Sequence, residues 1–157
     1  MPTYRAGIIG CGSIAAHHVS GFQGLENVYI AAIADPVATS LLTFGDRFEI
    51  ENRYSDAREM LDVEQLNIVS IATWHKLHAP MTIAACSRKP KAVLCEKPMA
   101  VTTAECDRMI ATAKANRVIR AVPPSVITFT ADLPRPYTSA SSLSVRSARG
   151  LYRLSGK

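Results

Sequence analysis

No stretch of this 157-residue chain comes near the ~18 uninterrupted apolar residues of a membrane-spanning helix, which excludes a helical span. Glycine and proline are scarce at 8 and 9 residues, too few for a collagenous or low-complexity chain. Charged residues make up only 20% of the chain against 48% apolar, so a core can form and global disorder is excluded. The cysteines Cys11, Cys86, Cys95 and Cys106 show neither CxxC nor CxxH spacing. A reduced, cytoplasmic setting is therefore expected. Met1-Pro2-Thr3-Tyr4-Arg5 leads straight into an apolar run, without the apolar stretch and small-residue cleavage site of a secretory leader.

The net charge of +5 is unevenly placed. Residues 1–120 carry 13 Lys/Arg against 12 Asp/Glu, whereas 121–157 carry five cations and one acid, Asp132. Pro123, Pro124, Pro134, Pro136 and seven of the thirteen serines also fall in that second stretch. The composition thus predicts an organised domain over 1–120 and an irregular Ser/Arg/Pro-rich tail over 121–157. The tail's dispersed cations and its few aromatics, Phe129, Tyr137 and Tyr152, argue against a nucleic-acid partner.

Within 1–120, apolar runs of strand length alternate with helical periods. Strands are predicted at Tyr4–Ile9, Val28–Ala34, Leu66–Ala72, Ala92–Cys95 and Val118–Val122, with a short one at Arg53-Tyr54. Helices are predicted at Ser13–Gly24, with Ile14, Ala15, His18 and Phe22 on one face, and at Val37–Phe48 and His75–Ser87. Ser55 is positioned to cap a further helix, and Thr102 with Glu105 forms a capping box for one ending near Asn116. Met99, Met109, Ile110 and Ala113 read as core. Strands apolar on both faces, alternating with helices, predict an α/β fold with a doubly wound parallel sheet. No internal repeat is visible.

Gly10-Cys11-Gly12-Ser13-Ile14-Ala15 fits G-x-G-x-x-G/A between a strand and a helix. Gly10 permits the tight turn, Gly12 lets a pyrophosphate approach the backbone, and Ala15 lets the helix pack close. The N–H groups of the helix starting at Ser13 then face the phosphates. Asp35 closes the second strand at the spacing of an acid that binds an adenosine ribose, followed by Pro36. A carboxylate there repels a 2′-phosphate, which favours NAD over NADP. The plainer alternative makes Asp35 the start of a turn. Cys11 is expected to be a small loop residue, and His17 and His18 to pack or face solvent.

Counting the short one, Thr73-Trp74-His75 follows the fourth strand and Glu96-Lys97-Pro98 the fifth, on the sheet edge that carries the glycine loop. With GIIGCGSIAAHH, AIADP, IATWHKLHAPMTIAAC and KAVLCEKPMAVTTAECDRMIATAKAN, the chain resembles the N-terminal domain of the glucose–fructose oxidoreductase/inositol dehydrogenase (Gfo/Idh/MocA) family over roughly residues 4–119. The resemblance implies a Rossmann-like NAD(P)-binding domain of an oxidoreductase acting on sugars, polyols or related hydroxy compounds. It implies a catalytic Lys97 near the nicotinamide and substrate, with Glu96 helping to orient the cofactor. Thr73, Trp74, His75 and His78 join the expected cofactor-binding set. Trp74 departs from the family's usual proline. Its indole can stack on the cofactor or cover the sheet edge, and the second is favoured. His75 and His78 lack a carboxylate or thiol at ligand spacing, so no metal site is expected.

The resemblance also implies a second α+β domain carrying a catalytic histidine and aspartate, for which 37 tail residues do not suffice. The tail is read as a linker remnant or as a stretch translated in a shifted frame, with helical periodicity only at Ser139–Arg149. The leading expectation is the cofactor-binding part of an NAD-dependent oxidoreductase, inactive alone and able to act on a sugar or polyol only if a second domain completes it. The alternative is a non-catalytic nucleotide-binding module or inactive remnant. A methyltransferase-like domain is disfavoured because Glu96-Lys97-Pro98 has no role in one.

Overall fold

The computed structural model describes residues 3–122, 144–147 and 150–153. The main body runs β1 (Tyr4–Ile9), α1 (Ser13–Gln23), β2 (Val28–Ala34), α2 (Ala38–Arg47), β3 (Arg53–Tyr54), α3 (Ala57–Val63), β4 (Ile68–Ile71), α4 (His75–Ser87), β5 (Ala92–Cys95), α5 (Thr103–Ala115) and β6 (Ile119–Ala121). These six strands form one parallel sheet in the order β3-β2-β1-β4-β5-β6. The order reverses between β1 and β4, and ligands of open α/β sheets bind outside the strand ends at such a switch point.

Strand alternation sends neighbouring side chains to opposite layers. Ile8, Ile33 and Leu94 pack with Ala15, Val19, Phe22, Leu41 and Phe44 of α1 and α2. Ile9, Val69, Ile71 and Val93 pack with Met60, Leu61, Ala79, Ala85, Met109 and Ala113 of α3, α4 and α5. This double burial is why the strands read as continuous apolar runs. Met109 and Ala113 lie in the core as expected, while Met99 and Ile110 are half-buried.

The structure corrects several local expectations. Ile14 points away from the buried face of α1, which is made by Ala15, His18, Val19 and Phe22. Asp56, not Ser55, caps α3 by accepting from Arg58 N. The fourth strand is shorter than Leu66–Ala72 and runs Ile68–Ile71. The Thr102/Glu105 capping box is present in both directions. Where helical periodicity was expected near Ser139–Arg149, residues Ser144–Ser147 instead pair antiparallel with Gly150–Arg153 as a separate two-stranded sheet. The linker and shifted-frame readings otherwise fall on residues outside those described.

Three cysteines are core residues. Burial, with the Asp35 carboxylate adding to it at Cys11, pushes the thiols of Cys11, Cys86 and Cys95 up to about 12, 11 and 11 from an ordinary 9.0. Because the folded-state values are raised, this contribution to stability is complete below pH 9.0 and is lost as pH rises through the folded values. Urea midpoints should therefore vary little from these thiols up to pH 9 and decline above it; Cys→Ala replacement at Cys86 and Cys95 should flatten that decline.

Candidate functional site

Parallel register aligns the carboxyl ends of the central strands. Ala34 pairs with Ile9, Ile9 with Ile71, and Ile71 with Cys95. The next residues, Asp35, Gly10, Ala72 and Glu96, therefore leave the sheet side by side. Three strand spacings separate the outer two, about 14 Å. An elongated, two-headed ligand suits such an edge.

Gly10 and Gly12 are glycines for different reasons. Gly10 has φ +97°, and a Cβ on it would lie 2.6 Å from the Ala72 carbonyl oxygen. Gly12 is extended, and a Cβ built there meets no heavy atom within 4 Å. Gly10 is demanded by the fold, whereas nothing in the protein demands Gly12. Gly12 sits at the start of α1, whose first turn has neither a side-chain cap nor an acid. Helices α2 and α4 likewise begin without a side-chain cap or first-turn acid, whereas α3 and α5 are capped. The uncapped N-termini leave N–H donors and the positive end of the helix dipole for a ligand.

These starts border a cleft of about 810 Å³. Gly10, Gly12, Ser13, Ile14, Asp35, Pro36, Thr73 and Trp74, all in the expected cofactor-binding set, line it. Ile14, turned out of the core, lies on its floor. Asp35 also holds the local frame: Oδ2 accepts from Cys11 N and Oδ1 from Val37 N, each at 2.8 Å. It is thus a turn residue as well as a candidate ribose ligand, since a carboxylate has about four acceptor sites and two are used. The Cys11 thiol, pushed up to about 12, is protonated at neutral pH.

Four expected residues are not on the cleft wall. His75 is exposed at the first turn of α4. Lys97 is exposed just beyond β5. His78 is buried, with Nδ1 2.6 Å from Pro98 O and Nε2 2.9 Å from Thr73 O. It ties the turn after β4 to the turn after β5 instead of reaching the cleft. Glu96 is only 8% exposed and turns inward, with Oε1 2.8 Å from His18 Nε2. The expectation for Trp74 is corrected. Trp74 is 81% exposed at the cleft mouth and does not cover the sheet edge, because as the N-cap of α4 it projects beyond the layer.

Sequence reasoning passed over Leu77 and Met81, which continue the cleft wall from Trp74 along α4. Their spacing of three and four residues is the signal that marks them as one helix face. Val37, on the turn after Asp35, and Ser40, in the first turn of α2, gave no comparable signal.

The model of an oxidoreductase family with an NAD-binding Rossmann fold matches residues 4–123. The chain belongs to the Gfo/Idh/MocA oxidoreductase family. A D-apiose dehydrogenase of Paraburkholderia graminis is 33% identical over 108 residues, covering 69% of this chain and 28% of that protein. An inositol 2-dehydrogenase of Salmonella paratyphi B is 33% identical over 116 residues, covering 73% and 34%. Among solved structures, an Agrobacterium radiobacter oxidoreductase in complex with NAD+, L-tartaric acid and magnesium superposes with a TM-score of 0.73 at 28% identity, covering 76% of this chain and 34% of that one. The myo-inositol 2-dehydrogenase of Lactobacillus plantarum gives 0.71 at 25% identity, covering 77% and 36%. This Gfo/Idh/MocA chain thus spans about a third of the length of these relatives. Among the described residues, no helix is long and apolar enough to cross a membrane, and no group of three or more His, Cys, Asp or Glu is placed to hold a metal ion.

The two glycines separate experimentally. Gly10→Ala should lower stability by about 1–3 kcal/mol, because it combines positive φ with a backbone clash. Gly12→Val should unfold at the parent's urea concentration yet lose detectable dinucleotide binding in calorimetry.

Proposed function

We propose that this Gfo/Idh/MocA member binds NAD(H) along the cleft, as the cofactor-binding part of an enzyme that moves hydride between nicotinamide and a sugar, polyol or related hydroxy compound. The observation that carries the reading is the open approach to Gly12 at an uncapped helix start, with Asp35 one strand's width along the same edge. Dehydrogenase relatives of apiose and inositol support the substrate class. When bound, the nicotinamide supplies the hydride-accepting centre.

The chain's own residues then divide the work. Gly12, Ser13 and Ile14 present backbone N–H groups to the pyrophosphate. Asp35 accepts from the ribose hydroxyls through its unused acceptor sites, and Pro36 and Val37 border the adenosine side. Thr73 and Trp74 flank the nicotinamide half, with the exposed indole available to stack on the cofactor. Lys97 is assigned the reacting oxygen, as a cation that polarises it or tunes the acid–base group. Residues 1–120 form the dinucleotide domain in this reading, and 121–157 a distinct tail. The four cysteines are free thiols, which suits a reducing, cytoplasmic setting.

NAD should bind more tightly than NADP. Like charges at contact near a surface repel by about 4 kcal/mol, and about 1.4 kcal/mol already gives a factor of ten. Asp35→Ser should narrow the gap, and should weaken NAD as well because the Cys11 and Val37 contacts go with the carboxylate. Titrations following the fluorescence of Trp74, the sole tryptophan, read both effects. Equal affinities for NAD and NADP in the parent would refute the ribose assignment.

NADH formation against a polyol panel should be negligible for the 157-residue chain, even with NAD bound. Hydride transfer needs the substrate carbon ~3–3.5 Å from the nicotinamide, and Lys97 alone cannot hold it there. Turnover that is clear in the parent and lost in Lys97→Ala would mean that the tail or another copy completes the site.

A further inference from the structure

Where the α1 layer meets the carboxyl edge of the sheet, the core contains a row of polar side chains. Ser70 in β4 shares the α1-facing side with Ile68, and Glu96 lies two residues beyond Leu94, which faces the same way. His18 of α1 sits between them, 2% exposed. Its Nδ1 is 2.5 Å from Ser70 Oγ, and its Nε2 is 2.8 Å from Glu96 Oε1. The other carboxylate oxygen, Oε2, accepts from Lys97 N at 3.1 Å. One proton arrangement serves every partner: the Ser70 hydroxyl donates to Nδ1, Nε2–H donates to Oε1, and the Lys97 amide donates to Oε2.

We propose that His18 is a positioning residue for Lys97: through Glu96 it fixes the backbone from which that lysine projects. The proposal rests on the reading above that Lys97 lies beside the bound nicotinamide. The residue that follows, Pro98, is held from the opposite layer by His78 on its carbonyl. Lys97 is therefore an exposed side chain on a backbone anchored at both sides by buried imidazoles. A buried carboxyl needs donors, and His18 is the donor that lets Glu96 turn inward and hold the Lys97 amide. A pair present only to fill the core is replaceable by apolar side chains of similar size, often without loss of stability. A pair that aims Lys97 is not replaceable in that way, and this difference supplies the test.

The experiment uses the intact chain at saturating NAD, with occupancy read from Trp74 fluorescence. Lysines are acetylated at trace stoichiometry across a pH series and quantified residue by residue by mass spectrometry, with Lys89 and Lys114 as internal references. In the parent, NAD should slow labelling of Lys97 selectively. The double variant His18→Leu/Glu96→Met leaves no buried charge unpaired. It should fold and bind NAD, yet lose the protection of Lys97. His18→Gln, whose amide can still donate to Glu96, should retain protection. Parent-level protection in the double variant overturns the proposal. So does failure of the double variant to fold, since the pair would then serve folding alone. If NAD binds the parent but leaves Lys97 unprotected, the underlying placement of Lys97 fails, and the parent chain reveals this separately.

Discussion

The approach of Gly10 to the Ala72 carbonyl is the constraint on which the edge of this sheet is built. β1 and β4 end in register, and the chain leaving β1 must cross directly over the chain leaving β4. Backbone hydrogen bonds lock the crossing, from Gly10 N to Ala34 O and from Ala72 N to Ile9 O, both at 2.8 Å. No side chain fits between them, and the positive φ of Gly10 follows. The position of α1, the exposure of Gly12 and the reach of Asp35 to Cys11 N all depend on that crossing.

Around it, polar groups do two separate jobs. Some are turned toward the cleft and keep acceptor or donor capacity in reserve, as Asp35 and the first N–H groups of α1 do. Others are turned inward and meet partners from neighbouring segments, as His78, His18 and Glu96 do. The residues of the Glu96-Lys97-Pro98 segment therefore belong to both classes within one turn. The outer residue is exposed because its neighbours are committed.

Much of the fold was legible because burial on both faces leaves uninterrupted apolar runs, as in Val28–Ala34, and because the Thr102/Glu105 capping box is a local signal. The parallel order followed from alternation of strand and helix. Gly10, Gly12 and Asp35 were legible because their mechanical roles are tied to short spacings. What was not legible depends on long-range partners. His18 meets Ser70 and Glu96 across 52 and 78 residues, and no local pattern distinguishes it from exposed His17 beside it. The inward turn of Glu96 depends on His18 in the same way. The direction of Trp74 depends on where α4 starts relative to the layer, and sequence spacing carries no information about that. The antiparallel pair at 144–153 was missed because short polar strands lack a marked period.

The sheet also tapers. Its outermost strands, β3 and β6, contain two and three residues, against six and seven in β1 and β2. Each carries an arginine, Arg53 engaged with Asp46 and Arg120 with Met99. A short, cationic rim offers an approaching strand few unpaired backbone groups and a charge to bury. Among the described residues, the margins of this sheet are thus built to resist edge-to-edge aggregation, so its long, apolar central strands do not become a template for other chains.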